Sequence, residues 1–202
     1  MNSKYLYEYI NRLEVLLAIA HHEYYSLDAL ERNIAYSQYF QSIEKDLTRG
    51  APIIEEEKLL KEIFPELLHL NIEEIPIYNE CLWAAETYLR IQGVTKLTWE
   101  AIFLYLPIEE VYELFPLYHE MDFSQIIKFF QSKYSKQTTF SLLLKKYNYS
   151  LNEISKLTKI PYNTLFALKK RHRDIKKADV KTVVSLANIL NVRVETIAEL
   201  EI

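Results

Sequence analysis

One stretch of this chain combines cations with apolar residues at helical spacing, a pattern that favours binding to an anionic polymer. Residues 150–171 (SLNEISKLTKIPYNTLFALKKR) lie in the only basic region of the sequence. Residues 133–182 contain thirteen Lys or Arg against three Asp or Glu, a net charge of +10, whereas residues 1–132 carry −12. Because neutralising phosphates supplies most of the sequence-independent affinity for duplex nucleic acid, this pattern predicts a nucleic-acid footprint.

The elements that position these cations are predicted to be two short helices joined by a tight turn. Ser150 followed three residues later by Glu153 has the pattern of a capping box, which starts the first helix. Ile154 and Leu157 would form its buried face, and Ser155 is small where the next helix must cross closely.

The second helix of the pair is predicted to begin at Pro161, because proline suits the first turn of a helix. Ile160 would anchor the turn, and Leu165 and Leu168 would point back into the core. The remaining positions form a polar, cationic face: Tyr162, Asn163, Thr164, Ala167, Lys169, Lys170 and Arg171.

Residues 140–200 as a whole resemble the phage-repressor-like (Xre/Cro) helix-turn-helix domain. A helix predicted over 140–147 precedes the pair, and residues 179–190 (DVKTVVSLANIL) look like that family's fourth helix, with Leu186 and Ala187 at its leucine–alanine step. Residues 191–197 look like its closing turn and fifth helix. The resemblance implies binding to double-stranded DNA as a homodimer, since one recognition helix contacts too few base pairs for useful specificity.

The resemblance also implies individual DNA contacts. In the family, the first, second and sixth residues of the recognition helix read bases, and here these are Tyr162, Asn163 and Ala167. Asn163 would pair with adenine in the major groove, Ala167 would touch a thymine methyl, and Tyr162 would bond a base edge or a phosphate. The DNA backbone would be held, without sequence readout, by Thr164, Lys170, Arg171, Arg173, Lys176 and Lys177.

Three residues depart from the family pattern. Lys159 replaces the glycine usual in the turn, so this lysine must adopt a left-handed conformation or the turn must differ. Leu151 stands where the family often has a polar phosphate contact. Arg171 replaces the glycine that commonly ends the recognition helix, which would let the helix run on through His172.

The whole chain is predicted to be all-α. Only two of its 202 residues are glycine, far fewer than hairpins, Rossmann turns and phosphate-binding loops require. The predicted architecture is an N-terminal helical bundle over residues 1–132, followed by a lambda-repressor-like five-helix domain over residues 133–202. The polar segment 132–139 (SKYSKQTT) is predicted to connect them.

Residues 4–25 of the acidic half are predicted to form an amphipathic helix with a heptad seam. That seam would pack inside its own domain or, less favourably with only three heptads, against a second copy. The seam residues are Leu6, Ile10, Leu13, Leu17, Ala20 and Tyr24.

Breakers and caps predict the helices that follow. A second helix would extend over about residues 26–46, with Ser26 as its cap. A helix over 78–92 would end at Gly93, and a helix over 107–115 would stop before Pro116.

Other reactive residues are better explained by structure than by chemistry. Adjacent His21 and His22 point about 100° apart on a helix, so no metal site is expected there. Lone Cys81 is typical of a small core residue and permits no intrachain disulfide or cysteine-based zinc site. The sequence has no secretory pattern and no apolar run long enough for a membrane span, so we expect a cytoplasmic protein. Since none of these residues forms a convincing catalytic constellation, we also expect that the protein is not an enzyme and has no cofactor.

The leading hypothesis is a sequence-specific transcriptional regulator whose acidic half dimerises, senses a small ligand or binds a protein partner. An acidic half would be repelled by DNA and would orient the basic half toward it. The alternatives are a toxin–antitoxin or phage-defence regulator that clasps a cognate protein, and an adaptor that contacts only proteins. An enzyme domain within residues 1–132 is the remaining, weakest alternative.

Overall fold

The computed structural model describes residues 3–45, 54–67, 72–76 and 78–198. Within these ranges the fold is all-helical and contains no strand, which confirms the all-α prediction. Two short 3-10 helices cover Ile72–Glu74 and Ile175–Lys177. The α-helices are α1 (Ser3–His22), α2 (Leu27–Tyr36), α3 (Gln38–Lys45), α4 (Glu56–Ile63), α5 (Asn79–Thr95), α6 (Trp99–Tyr105), α7 (Ile108–Tyr118), α8 (Phe123–Lys136), α9 (Thr139–Lys146), α10 (Leu151–Thr158), α11 (Tyr162–Lys169), α12 (Val180–Leu190) and α13 (Val194–Ile197).

The buried apolar side chains form two clusters that follow one another along the chain. The first extends from Tyr9 to Phe130 and is rich in large aromatic rings, and the second extends from Phe140 to Ala198 and is mostly aliphatic. Leu104 of α6 packs against the second cluster, and Leu142 of α9 packs against the first. The two halves of the chain therefore pack directly on each other.

The predicted first helix is confirmed, and its seam packs within the chain. Ile10, Leu13, Leu17 and Ala20 are all buried, because α1 lies along α5. Tyr24 leaves the seam, since it follows the helix with a positive φ of 51° and is 96% exposed.

The single helix predicted over 26–46 is wrong, because the chain breaks it at Ser37. Ser26 does cap α2, accepting a hydrogen bond from the Ala29 N–H at 3.3 Å. The buried positions change phase beyond the break: on a straight helix, Ile34 would be followed by a buried residue at position 38, yet Gln38 is exposed and Tyr39 and Phe40 are buried. A break at Ser37 brings both rings into the first cluster. Residue 46 lies outside the described residues.

Two predicted helix ends in the acidic half are also wrong. Gly93 lies inside α5, which continues to Thr95, and Lys96 supplies the left-handed cap with φ 56°. The helix predicted to stop before Pro116 instead includes this proline in its last turns and ends at Tyr118. One proline near a helix end removes few hydrogen bonds, and His119 N–H still donates to the Phe115 carbonyl at 3.0 Å.

The connector predicted over 132–139 is mostly helix. Residues 132–136 continue α8, whose apolar face holds Ile126 and Phe130 in the first cluster. Lys133 forms an ion pair with Glu110 of α7, which ties this polar end to the acidic half. The chain turns at Gln137, and Thr138 caps α9 by accepting from the Ser141 N–H at 3.0 Å.

Among the described residues, no helix is both long and apolar enough to cross a membrane.

Candidate nucleic-acid interface

The start of α10 confirms the capping box. The Glu153 N–H donates to Ser150 Oγ at 3.2 Å, and the Ser150 N–H donates to Glu153 Oε2 at 2.7 Å. The hydrogen bonds from Ser150 hold the pKa of the Glu153 carboxyl below its usual value. Each side chain thus satisfies a backbone donor that the helix itself leaves free.

The turn between α10 and α11 is tight despite lacking glycine. Lys159 takes the left-handed conformation with φ 63°, and its N–H closes α10 by donating to the Ser155 carbonyl at 2.9 Å. Ser155 Oγ then donates to the Ile160 carbonyl at 2.7 Å, so the small residue expected at the helix crossing also ties the turn. The turn therefore keeps its usual geometry, and Lys159 adopts the strained left-handed conformation that glycine usually takes there.

The buried face of α10 differs in part from the predicted one. Ile154 is fully buried as predicted, but Leu157 is 55% exposed and Leu151 takes its place in the core. Spacing explains the exchange, since Leu151 precedes Ile154 by three residues and lies on the same face of the helix. The position where the family often has a polar phosphate contact is therefore an apolar anchor.

Helix α11 packs by Leu165 and Leu168, both buried as predicted. The expected continuation through His172 is wrong, because α11 ends at Lys169. Arg171 takes a positive φ of 55°, which no α-helix can accommodate, so the chain turns away there.

The outer face of α11 carries an aromatic pair, of which the sequence predicted only Tyr162. Tyr162 and Asn163 are exposed, and Thr164 and Ala167 are half-buried beside them. Phe166 is 40% exposed and stacks on Tyr162, with ring centroids 6.3 Å apart and planes 18° apart. The signal was the four-residue spacing of the two rings, which puts them on one face.

Several cations border this face. Lys170 and Arg173 follow α11 directly, and Lys176 and Lys177 lie on the second 3-10 helix; all four are exposed. The acids of this segment sit at helix starts: Asp174 Oδ1 accepts from the Lys176 N–H at 3.0 Å. Because Lys and Arg outnumber Asp and Glu by thirteen to three over residues 133–182, the surface around α11 is strongly cationic.

Arg171, assigned to the DNA backbone by the resemblance, is positioned differently. Its Nη2 donates to the carbonyls of Tyr134 and Gln137, each at 2.8 Å, and its guanidinium lies 4.8 Å from the centre of the Tyr134 ring. The side chain thus joins the end of α11 to the end of α8. We assign it a positioning role.

One further cation, Lys136 of α8, comes into this surface from outside the motif. A cavity of about 300 Å³ beside Arg171 is lined by Lys136, Lys169 and Lys170, with hydroxyls from Ser135 and other residues at its wall. Lys136 is more than thirty residues from Lys169 in the sequence, so no local pattern could have predicted that they meet.

The basic half is held on the acidic half by a buried ion pair. Glu44 of α3 accepts two hydrogen bonds from the Arg193 guanidinium, at 2.7 and 2.9 Å, and a third from the Trp99 N–H at 2.6 Å. Burial raises the pKa of Glu44, and the guanidinium opposes that rise. The buried hydroxyls of Thr98 and Thr196 meet beside the pair at 2.9 Å.

In the part of the chain that the structure describes, no group of three or more His, Cys, Asp or Glu is arranged to hold a metal ion. No family model matches the chain, and neither does any curated protein or solved structure.

Proposed function

We propose that this protein is a cytoplasmic, sequence-specific DNA-binding transcriptional regulator. Its helices α9–α13 would act as a phage-repressor-like DNA-binding domain, and its acidic half would dimerise, sense a ligand or bind a partner. The observation that carries the proposal is the outer face of α11, where exposed Tyr162 and Asn163 are bordered by a strongly cationic surface.

In this proposal α11 enters the major groove. Asn163 pairs with the N6 and N7 edge of adenine, and Tyr162 bonds a base edge or a phosphate. Ala167 and the exposed ring of Phe166 contact thymine methyl groups. The Thr164 hydroxyl donates a hydrogen bond to a phosphate, and the phosphates are neutralised by the surrounding cations, namely Lys136, Lys170, Arg173, Lys176 and Lys177.

The proposal includes a homodimer on a pseudo-palindromic site. One α11 spans only a few base pairs, and two copies spaced by one helical turn of DNA would supply the remaining specificity. The −12 charge of residues 1–132 would be repelled by DNA, so the protein would approach the duplex with its basic half first.

Selection from a randomised duplex pool with the full-length protein tests the proposal. We expect enrichment of a palindromic site, and Asn163→Ala should weaken binding to that site by about tenfold or more while leaving non-specific binding unchanged. Lys128→Gln, an exposed cation of the acidic half, is the matched control and should change neither. Absence of enrichment together with absence of salt-sensitive binding would refute the proposal.

A second candidate function is a protein-binding adaptor, favoured by the stacked Tyr162 and Phe166 rings. Exposed aromatic pairs are typical of protein interfaces as well as of base contacts. The double variant Lys170→Gln/Arg173→Gln separates the two functions, because a DNA-binding protein loses affinity whereas an adaptor that relies on the rings retains its activity.

A further inference from the structure

A cavity of about 630 Å³ opens between the two halves of the molecule. Helices α2 and α6 form one side, and the end of α9 with the residue that follows α12 forms the other. This volume lies within the range typical of small-molecule sites. Its lining residues include Asp28, Glu31, Arg32, Tyr36, Phe103 and Tyr147.

Glu31 is the most unusual residue of this lining, since it is only 5% exposed. Its Oε1 accepts a hydrogen bond from the Ile108 N–H at 2.7 Å. That is the only hydrogen bond Glu31 makes within the described ranges, so its second oxygen accepts none there. This oxygen is not among the fully buried polar atoms that lack a partner, so it is open to the cavity, where a cation or a donor can reach it.

The walls beside Glu31 suit an apolar or aromatic group. Phe103 is buried at the wall, and Tyr36 and Tyr147 are 43% and 42% exposed, on opposite sides of the junction. The Lys146 ammonium lies 4.0 Å from Asp28 Oδ1, and its charge also acts on Glu31, whose pKa it lowers. The cavity therefore combines one deep acceptor with aromatic walls.

We propose that this cavity binds a small organic amine, with its ammonium group against Glu31 and its apolar or aromatic body against Phe103 and Tyr147. An ammonium would supply the donor that the second Glu31 oxygen lacks. Since the ligand would contact both halves of the chain, its binding would also stabilise their packing. This inference does not depend on DNA binding.

Protonation of Glu31 gives the binding a characteristic pH dependence. Burial raises the pKa of Glu31 to about 7, against the opposing effect of the Ile108 N–H. An alkylammonium stays protonated to above pH 9, so its binding should release a proton from Glu31 and strengthen as pH rises. The other charged or titratable groups around Glu31 or along its cavity are Asp28, Arg32, Tyr36, Tyr88, Glu100, Glu109, Lys146 and Tyr147.

Calorimetric titration of the full-length chain with 2-phenylethylamine tests this inference. We expect saturable binding that is about tenfold tighter at pH 8 than at pH 6, as ionisation of a group with a pKa near 7 requires. 2-Phenylethanol has the same ring and length but no ammonium, and it should bind more weakly by about tenfold or more.

Two variants locate the site. Glu31→Gln keeps an oxygen acceptor for the Ile108 N–H and removes the charge, so it should fold and lose about tenfold or more in amine affinity together with the pH dependence. Tyr147→Ala should weaken binding, whereas its control Tyr149→Ala, two residues away and outside the lining, should not. No saturable binding at millimolar amine, equal binding of the alcohol, or unchanged affinity in Glu31→Gln would each overturn the inference.

Discussion

The two halves of the molecule use their carboxylates in opposite ways. In the acidic half, buried Glu31 and Glu44 accept the first N–H of a helix that is distant in the sequence, at Ile108 of α7 and at Trp99 of α6. In residues 133–182 of the basic half, the three acids cap their own helices at the surface: Glu153, Asp174 and Asp179. The first arrangement fixes the fold through long-range contacts, whereas the second stabilises helix starts locally at the surface.

Removing Arg193 should have the largest effect, because it leaves the Glu44 charge buried and unpaired. We expect Arg193→Met to lower the free energy of unfolding by about 3–5 kcal/mol, as breaking a buried ion pair on one side usually does. Denaturant unfolding measures this, with Arg173→Met as the matched surface control that should change little.

The pH dependence of this variant provides a second check. Without the guanidinium, burial should raise the pKa of Glu44 further, so this carboxyl takes up a proton more readily when the chain folds. The loss of unfolding free energy in Arg193→Met should therefore be smaller at pH 5 than at pH 8. Glu44→Gln added to Arg193→Met should recover much of the loss, since the glutamine still offers an oxygen to the Trp99 N–H. An Arg193→Met variant as stable as the wild type at pH 8 would show that the pair does not hold the two halves together.

Glu31 should make the acidic half less stable as the pH rises. The pKa of Glu31 is raised to about 7 in the folded chain and is near 4.5 in the unfolded chain. The free energy of unfolding should therefore be highest below pH 4.5 and fall as the pH rises from 4.5 to about 7. Relative to the wild type, Glu31→Gln should gain about 3 kcal/mol between pH 4 and pH 8, an order-of-magnitude figure for a shift of this size.

Chemical denaturation of both proteins at several pH values measures the gain. The surface acid Glu153 has a lowered pKa and should behave in the opposite sense, so Glu153→Gln should lose stability relative to the wild type as pH rises from below its lowered pKa to about 4.5, and keep that deficit at higher pH. Parallel curves for the wild type and Glu31→Gln would contradict the assignment of a buried carboxylate.

The exposed cations of the basic half should affect DNA binding and leave stability unchanged. Lys170→Gln/Arg173→Gln should lower the slope of log K against log salt by about 1.8, because each phosphate contact contributes about 0.9. Fluorescence anisotropy with duplex DNA at several salt concentrations measures the slope. A changed slope with an unchanged free energy of unfolding would separate these surface charges from the buried ones, whereas an unchanged slope would remove Lys170 and Arg173 from the phosphate contacts.

Local signals explain why the sequence predicted the basic half better than the acidic half. The Ser150–Glu153 box and the buried face of α11 depend on residues a few positions apart, and both are confirmed. The break at Ser37 and the position of Arg171 depend instead on partners tens of residues away, such as the carbonyl of Tyr134. Periodicity carries no information about such partners.

The packing of the two halves on each other could likewise not be predicted from the sequence. Glu44 and Arg193 are 149 residues apart, and nothing in the pattern around either residue distinguishes it from a surface charge. The sequence predicted those parts of the candidate site that lie on a single helix, such as Tyr162 and Asn163, which are exposed as expected. It did not predict residues that come from a distant part of the fold, such as Lys136.

The smallest effect we predict compares two lysines in the same strained conformation, one in each half. Lys96 and Lys159 each follow a helix with a positive φ, of 56° and 63°. Lys159→Gly should stabilise the protein by about 1 kcal/mol, because glycine adopts this conformation without the clash of a Cβ atom. Lys96→Gly should gain less, since the Lys96 side chain is half-buried and its packing is lost, whereas Lys159 is exposed.

Thermal unfolding measures both, with Lys156→Gly inside α10 as the control that should lose about 1 kcal/mol. Equal gains at the two positions would show that the half-buried stem of Lys96 contributes nothing, and a loss at Lys159 would show that glycine's greater freedom in the unfolded chain outweighs the relief of strain in this turn.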